Sequence, residues 1–420
     1  MKFLKSGYNR NVVLTGLTSF CTDVSSEMLY PLIQAFVSMI FSAQKAFVGP
    51  ALGIIEGIAE STASLLKVFA GYYSDRIRAR KGPAVAGYGL SALSKLLFFL
   101  ASSGWYFVLL GRFLDRVGKG IRTAPRDALI YESTPKDRQG AAFGFQRAMD
   151  FAGATLGVAV CYVMCLRFLD PVSKTLKDMS SFYLLFFISV IPAFIGVIFL
   201  LFVKEMRPPD ESSGNPLPRP DLNFRTYDKS LRTFFLAQCF FTLGNSSNQF
   251  LLLRSMNLGV ALPSVILMYL LFNLSSTLFS PFFGGLSDRI GRKRVLCAGY
   301  ILYSVVYGAF GLLTKHHTVF LWTFWIVYGL YYAMCEGVEK AFVGDLAPVS
   351  SKATALGFCY TITGAGALPA SIIAGFLFTL LPAAPFVFGS CMAFFAFVIV
   401  AGFVRETKQS AARQAPTPVA

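Results

Sequence analysis

The segment RFLDRVGKGIRTAPRD, Arg112 to Asp127, places Arg112, Asp115, Arg116, Lys119 and Arg122 in a stretch that otherwise reads as a membrane span. Their spacing of three and four puts them on one helix face. Each Arg or Lys at a bilayer centre costs about 2.5–3.5 kcal/mol on insertion scales, so a lipid-facing stripe of this kind is excluded. The stripe must face protein, water or a solute, and a polar interior in a membrane bundle usually marks a pathway. Guanidinium grips carboxylate or phosphate bidentately, so Arg116 and Lys119, with Arg112 beside them, are candidates for binding an anionic group. Asp23 and Glu27 share a helix face at (i, i+4), as do Glu56 and Glu60. Two close carboxylates in low dielectric do not both ionise cheaply, which makes each pair a candidate proton-coupling site.

The elements that position these groups follow from composition. Of 420 residues, 55% are hydrophobic and 14% charged, and the mean hydropathy is +0.58; this is an integral membrane protein. Apolar windows of about twenty residues, enough to cross hydrocarbon, fall near 12–40, 48–74, 84–103, 106–128, 141–167, 180–203, 231–253, 263–287, 294–313, 318–343, 354–381 and 385–404. They predict an all-α fold of twelve transmembrane helices. Basic residues gather on one side if the spans alternate: near the start (Lys2, Lys5, Arg10), after the second span (Arg76, Arg78, Arg80, Lys81), after the fourth (Lys136, Arg138), in the middle and at the end. The positive-inside rule then makes both termini cytoplasmic, with the chain in the cytoplasmic membrane. The same asymmetry accounts for much of the net charge of +16 and argues against a nucleic-acid partner.

The basic start MKFLKSGYNRN is followed by an apolar run too long for a cleavable signal, so it reads as the first span. All eight cysteines lie in expected spans without a CxxC, which favours packing over disulfides or a metal, and His316 and His317 share a loop with no third ligand. No metal or other cofactor is expected.

The loop after the second span, GYYSDRIRARK from Gly71, matches GGLSDRIGRKR from Gly284 after the eighth. The offsets 284 − 71, 288 − 75 and 289 − 76 are all 213, and the same offset relates Pro135 to Pro348, Gly144 to Gly357, Phe145 to Phe358 and Gly153 to Gly366. The chain therefore reads as two six-span halves, 1–203 and 231–404, joined by a charged, proline-rich cytoplasmic linker over 204–230 and closed by a tail over 405–420.

With twelve spans in two halves, paired Gly-x-x-x-Asp-Arg loops, and Arg112 followed by Gly118 and Gly120 in the fourth span, the chain resembles the major facilitator superfamily over nearly its whole length. DVSSE at 23–27, GIIEGIAEST at 53–62, LDRVGKGIRTAPRDA at 114–128 and EGVEKA at 336–341 resemble a bacterial branch described by analogy with efflux proteins. The resemblance implies a central cavity lined by the first, fourth, seventh and tenth spans and opening alternately to each side. Those spans carry Asp23 and Glu27, the arginine stripe, Asn245 and Asn248, and Glu336, Glu339 and Lys340; the second adds Glu56, Glu60 and Lys67, and the fifth Arg147 and Asp150. Asn245, Asn248 and Glu336 join Arg112, Arg116 and Lys119 as candidate solute-binding residues.

Depth along antiparallel spans sets Asp23 level with Arg116 and Glu27 nearer Arg112, so ion pairs between these carboxylates and the stripe are expected. Such pairs either hold helices together or exchange partners as the cavity switches. In the families the chain resembles, Asp75 and Asp288 cap a neighbouring helix and pair with Arg76 and Arg289, stabilising one state; a positive-inside anchor is the alternative. Arg78 stands where that loop pattern has glycine, whereas Gly291 keeps it. At an offset of 218, Arg122 matches Lys340 and Asp127 matches Asp345, which favours a gating or structural role for Arg122 and Lys340. Gly144, Gly153 and Gly157 resemble the glycine motif of proton-coupled exporters, with Val158 where proline is usual; close helix packing explains them equally. Tyr328, Tyr331 and Tyr332 either line the cavity or pack.

The leading function is secondary active transport of a small anionic or zwitterionic solute by a monomer, proton-coupled, with efflux antiport and uptake symport both open. A nucleotide-phosphate loop is absent, which argues against direct ATP use. A transporter-like receptor that binds without translocating is the alternative. A membrane enzyme is disfavoured because the longest loop is a short linker.

Overall fold

A computed structural model of the chain describes residues 9–41, 44–77, 79–134, 139–168, 179–205, 227–347 and 352–405. Its first span is α1 (Arg10–Glu27) and α2 (Ile33–Ile40), joined through a tight turn at Tyr30–Leu32. The second is α3 (Val48–Arg76); the third is α4 (Lys81–Ser94), which tightens into a 3-10 helix over Lys95–Ser103. The half is completed by α5 (Trp105–Glu132), α6 (Gln139–Phe168) and α7 (Met179–Leu201). In the second half the seventh span is α8 (Lys229–Gly244) with α9 (Gln249–Asn257). The remainder are α10 (Leu262–Ile290), α11 (Arg292–Leu312), α12 (Phe320–Leu346), α13 (Lys352–Leu380) and α14 (Ala384–Phe403).

Among the described residues, seven helices are long and apolar enough to cross a membrane: those of the third, fifth, sixth, eighth, ninth, eleventh and twelfth spans. The other five are broken or too polar. They are the first, second, fourth, seventh and tenth, the spans that carry the candidate groups, so the departure from apolarity is concentrated where a polar interior would be.

Uninterrupted helices over 12–40 and 231–253 are corrected by the structure, and the seventh span runs on to Asn257. Pro31 lacks an N–H and crowds the preceding turn, which breaks the first span. The Tyr30 carbonyl accepts from the Ile33 amide and from Gln249 Nε2 at 2.6 Å, and the Pro31 carbonyl accepts from the Gln34 side chain. In the seventh span the run GNSSN offers side chains that compete with the helix ladder, and Asn245 leaves helical geometry at φ −90°, ψ 78°. There the Gly244 carbonyl accepts from Tyr303 Oη at 3.0 Å, and Ser246 and Tyr307 share a hydrogen bond of 3.1 Å. Non-helical backbone at membrane depth survives only when protein satisfies it in this way.

The Asn11 side chain ties Ser133 and Lys204 together, and the Arg405 amide reaches Ser230, so the start of α1 and the ends of α5, α7 and α14 lie at one end of the bundle. Within the first half, α1 packs on α6 and α7; Gly153 and Gly157 of α6 meet the α1 backbone at Phe20 and Val24, which favours the close-packing reading of that motif. The loop after α10 turns at Gly291 with φ +102°, a conformation that favours glycine. Arg78, its counterpart, lies outside the described residues, as do the linker and the tail from 206–226 and 406–420.

The halves meet along α3 and α13, along α6 and α10 and, at the end remote from the termini, through α2 and α9. A Cβ on Gly53 would stand 2.4 Å from the Ser371 carbonyl oxygen, and one on Gly49 would stand 2.6 Å from that of Gly375. These are backbone atoms of a packed helix, so they have little freedom to yield. Gly53→Val should therefore wedge α13 away from α3 and favour opening at the remote end. With Gln249→Cys as a reporter in a cysteine-free background, labelling by a bulky thiol reagent should accelerate several-fold. Unchanged labelling of a normally folded variant would contradict this account of the seam.

Candidate functional site

The helices α3 and α5 pack side by side and run in the same direction. Carboxylates at (i, i+4) on one then match guanidiniums at (i, i+4) on the other. Arg112 Nη2 lies 3.0 and 3.1 Å from the two Glu56 oxygens and its Nε 3.2 Å from Oε1. Arg116 Nη2 lies 3.3 Å from Glu60 Oε1. Both pairs are 56 residues apart (112 − 56 and 116 − 60). Glu56 is fully buried and Arg112 is 3% exposed, whereas the Glu60 side chain is 42% exposed. The ladder thus runs from a desolvated rung to one open to the space between the halves.

This corrects the expected ion pairs of Asp23 and Glu27 with the stripe, which is paired with Glu56 and Glu60 instead. The physical reason is packing: α1 lies mainly on α6 and α7, which leaves the arginine face of α5 to α3. Glu27 instead accepts from Tyr269 Oη of the other half at 3.2 Å, with Arg116 and Lys119 its strongest cationic neighbours. Asp23 has Lys119, Arg122, Asp150 and Glu27 as its charged surroundings. Lys119 therefore stands among Asp23, Glu27 and Glu60 with no ion pair of its own among the described residues.

The second half contributes amides and hydroxyls. Asn248 Oδ1 accepts from Tyr328 Oη at 2.7 Å, and Asn245 Nδ2 reaches Tyr331 Oη at 3.4 Å. Tyr328 and Tyr331 are buried in an aromatic block with Tyr303, Tyr307 and Trp325, so these two pack; Tyr332 is half-buried. Glu336 pairs across the halves with Arg147 at 2.5 Å and lies 3.9 Å from Lys340.

Among the residues assigned to gating, Arg122 is anchored inside its own half: it donates to Ser91 Oγ at 2.8 Å and lies 4.3 Å from the Tyr88 ring centroid. Lys340 stands over the Tyr360 ring. Arg76 and Arg289 are exposed at helix ends, and the side chains of Asp75 and Asp288 lie outside the described set.

Sequence reading missed Ser247, which donates to Glu56 at 3.2 Å and lies 3.3 Å from Tyr30 Oη. It also missed Tyr269, Gln249 and Tyr360. The signal for Ser247 was present in the polar cluster GNSSN around Asn245 and Asn248. No group of three or more metal-ligating side chains occurs among the described residues.

Removing one partner of a buried pair strands the other charge, at about 3–5 kcal/mol. Arg112→Gln should lower thermal stability in detergent by that order, and adding Glu56→Gln should restore much of the loss, giving a large coupling in a double-mutant cycle. Equal instability of the single and double variants would show that the rung does not hold α3 to α5.

The model of the Major Facilitator Superfamily matches residues 15–252 and 234–419. An uncharacterized MFS-type transporter of Methanocaldococcus jannaschii is 37% identical over 395 residues, covering 92% of each chain. The quinolone resistance protein NorA of Staphylococcus aureus is 27% identical over 154 residues, 37% of this chain and 39% of that one. Among solved structures, the D-xylose-proton symporter superposes with a TM-score of 0.73 at 18% identity, covering 95% of this chain and 97% of that chain. The nucleoside transporter NupG gives 0.70 at 16% identity, covering 94% and 98%. At such identities the two structures speak for the fold, twelve helices in two six-helix bundles. With the family match spanning nearly the whole chain, this protein belongs to the major facilitator superfamily, and it is a membrane transporter rather than an enzyme.

Proposed function

We propose that the protein is a proton-coupled secondary transporter of a small anionic or zwitterionic solute, working as a monomer by alternating access with both termini in the cytoplasm. The observation that carries this reading is the placement of Lys119 and the Arg116–Glu60 rung at the boundary between the halves, among carboxylates of two other helices. Arg116, Lys119 and Glu336 would hold the solute, with Arg112, Asn245 and Asn248 shaping the pocket behind them.

Two carboxylates touch the opposite half where the remote end closes. Glu27 accepts from Tyr269, and Glu56 accepts from Ser247. Neutralising such a carboxylate weakens a charge-assisted hydrogen bond across the boundary, so proton occupancy and closure are thermodynamically linked. This supports Glu27 as the coupling group, with Asp23 one turn before it on α1 as the alternative and Glu60 next in line; Glu56 is held by Arg112 on both oxygens. A cavity for uncharged hydrophobic drugs would be mostly apolar, and this one carries ions from several helices. On the same reading Arg122, Arg76 and Arg289 with Asp75 and Asp288 govern state changes at the cytoplasmic end, whereas Lys340, expected among them, stands beside Tyr360 at the boundary.

The test is transport by proteoliposomes, using a solute first identified by thermal shift of the purified chain against a metabolite panel. Asp23→Asn combined with Glu27→Gln should abolish accumulation driven by a pH gradient while counterflow of the bound solute persists. Undiminished accumulation by the double variant would remove this pair from the coupling role. Binding without counterflow in the unmodified chain would favour a receptor instead.

A further inference from the structure

Three lysines in this site have no carboxylate to themselves. Lys67 of α3 and Lys340 of α12 come from opposite halves, and their ammonium groups stand 5.9 and 6.0 Å from the centroid of one ring, that of Tyr360 on α13. They are therefore within about 12 Å of each other, twice the usual cation–π reach. Lys119 of α5 is the third: Lys119, Lys340 and Arg116 are among the strongest charged neighbours of Lys67, with Glu60 the carboxylate in that set.

Lys67, Lys119, Lys340, Arg116 and Arg147 share Glu60, Glu336 and Glu339, while Asp23 and Glu27 of α1 face Lys119 from its other side. Glu60 holds Arg116 at 3.3 Å. Glu336 offers Oε1 to Arg147 at 2.5 Å and the same oxygen, at 3.9 Å, to Lys340. Glu339 has Lys340 as its first charged neighbour and otherwise lies among Tyr300, Tyr331 and Cys335 of its own half. A second sign of a missing partner is Arg116 itself, 7% exposed, whose buried Nε has no hydrogen-bond acceptor. Lys67 has no ion pair among the described residues and Lys340 only the 3.9 Å contact that Glu336 shares with Arg147; such charges are costly at membrane depth, and one monovalent anion could neutralise only one of them.

We propose that the solute carries two or more negative charges, as a phosphate ester or a di- or tricarboxylate does, and that Lys67, Lys119 and Lys340 hold it across the two halves beside Tyr360. This deepens the transport reading above and rests on it for the site's role. Lysine suits such a grip, because its charge sits on a flexible stem that can follow an anion as the halves move, whereas the arginines are fixed by their carboxylates. A ligand bridging α3 and α5 to α12 also supplies attraction between halves, so its departure would favour their separation.

The test measures binding to the purified full chain at constant ionic strength, using inorganic phosphate, glycerol 3-phosphate and citrate against acetate and glycine. At least one of the first three should stabilise saturably, with acetate and glycine far weaker. Lys67→Gln and Lys340→Gln should each weaken that binding tenfold or more, and Lys340→Arg should retain it, while Lys315→Gln, in an exposed loop remote from the site, should leave it unchanged. Should Lys67→Gln fail to fold, the Lys340 pair of variants decides the matter. The inference is overturned if acetate or glycine binds as well as the polyanions, if none of the three polyanions binds, or if Lys340→Gln binds with unchanged affinity. Lysine-dependent binding of a polyanion without counterflow in proteoliposomes would sustain this inference while removing the transport reading.

Discussion

The rung between Arg112 and Glu56 is the interaction on which the closed end of the molecule depends. Taking two charges out of water usually costs as much as their attraction returns, so a buried ion pair is weak evidence of added stability. Its importance here lies in what is attached to it. The Arg112 guanidinium lies 5.4 Å from the centroid of the Tyr30 ring, Glu56 accepts from Ser247, and the Tyr30 carbonyl accepts from Gln249. One ion pair within the first half therefore anchors the tyrosine and the carboxylate that the second half grips.

Those grips exist because two helices are broken. The first span is interrupted at Tyr30–Leu32 and the seventh between Gly244 and Gln249, and each break exposes polar groups that the opposite half helps to satisfy. When the halves separate at this end, the Gln249 amide loses its acceptor and needs water, while the Tyr30 carbonyl keeps only the Ile33 amide. Closure and hydration of this region are thus alternatives of the same few groups, which makes the boundary a two-position element in the sense that alternating access requires.

Much of this could be read from the chain alone, for physical reasons that also mark where reading stopped. The arginine stripe, the 213-residue repeat and the twelve apolar windows are one-dimensional signals, and the fold agrees with them. Partner choice is different. Periodicity says which residues share a face, and depth says which lie level, yet Glu27 and Glu56 are both plausible partners for Arg112 on those grounds. Only the packing of α3, rather than α1, against α5 decides between them. The breaks escaped because averaged hydropathy conceals a single Pro31 or a short GNSSN run. Tyr360 escaped because one tyrosine in an apolar span carries no periodic signal; its meaning comes from lysines 293 and 20 residues away in sequence (360 − 67 and 360 − 340).

The two halves divide the chemistry unequally, and that division bears on how the molecule can move. The first half holds most of the intramembrane charge, arranged as pairs and near-pairs on α1, α3 and α5. The second is stiffened by stacked rings, with Phe241 against Tyr300 at 4.4 Å and Tyr303 against Tyr307 at 4.3 Å between centroids. Ring stacking is short-ranged and is lost when geometry changes, so the aromatic half is suited to moving as one body. Charge interactions in a partly hydrated site fall off more gradually and tolerate new partners. A rocking motion would therefore leave the aromatic block intact and redistribute contacts among Glu27, Glu60, Lys119 and Glu336. The free energy of such a motion is then governed by side chains facing the boundary.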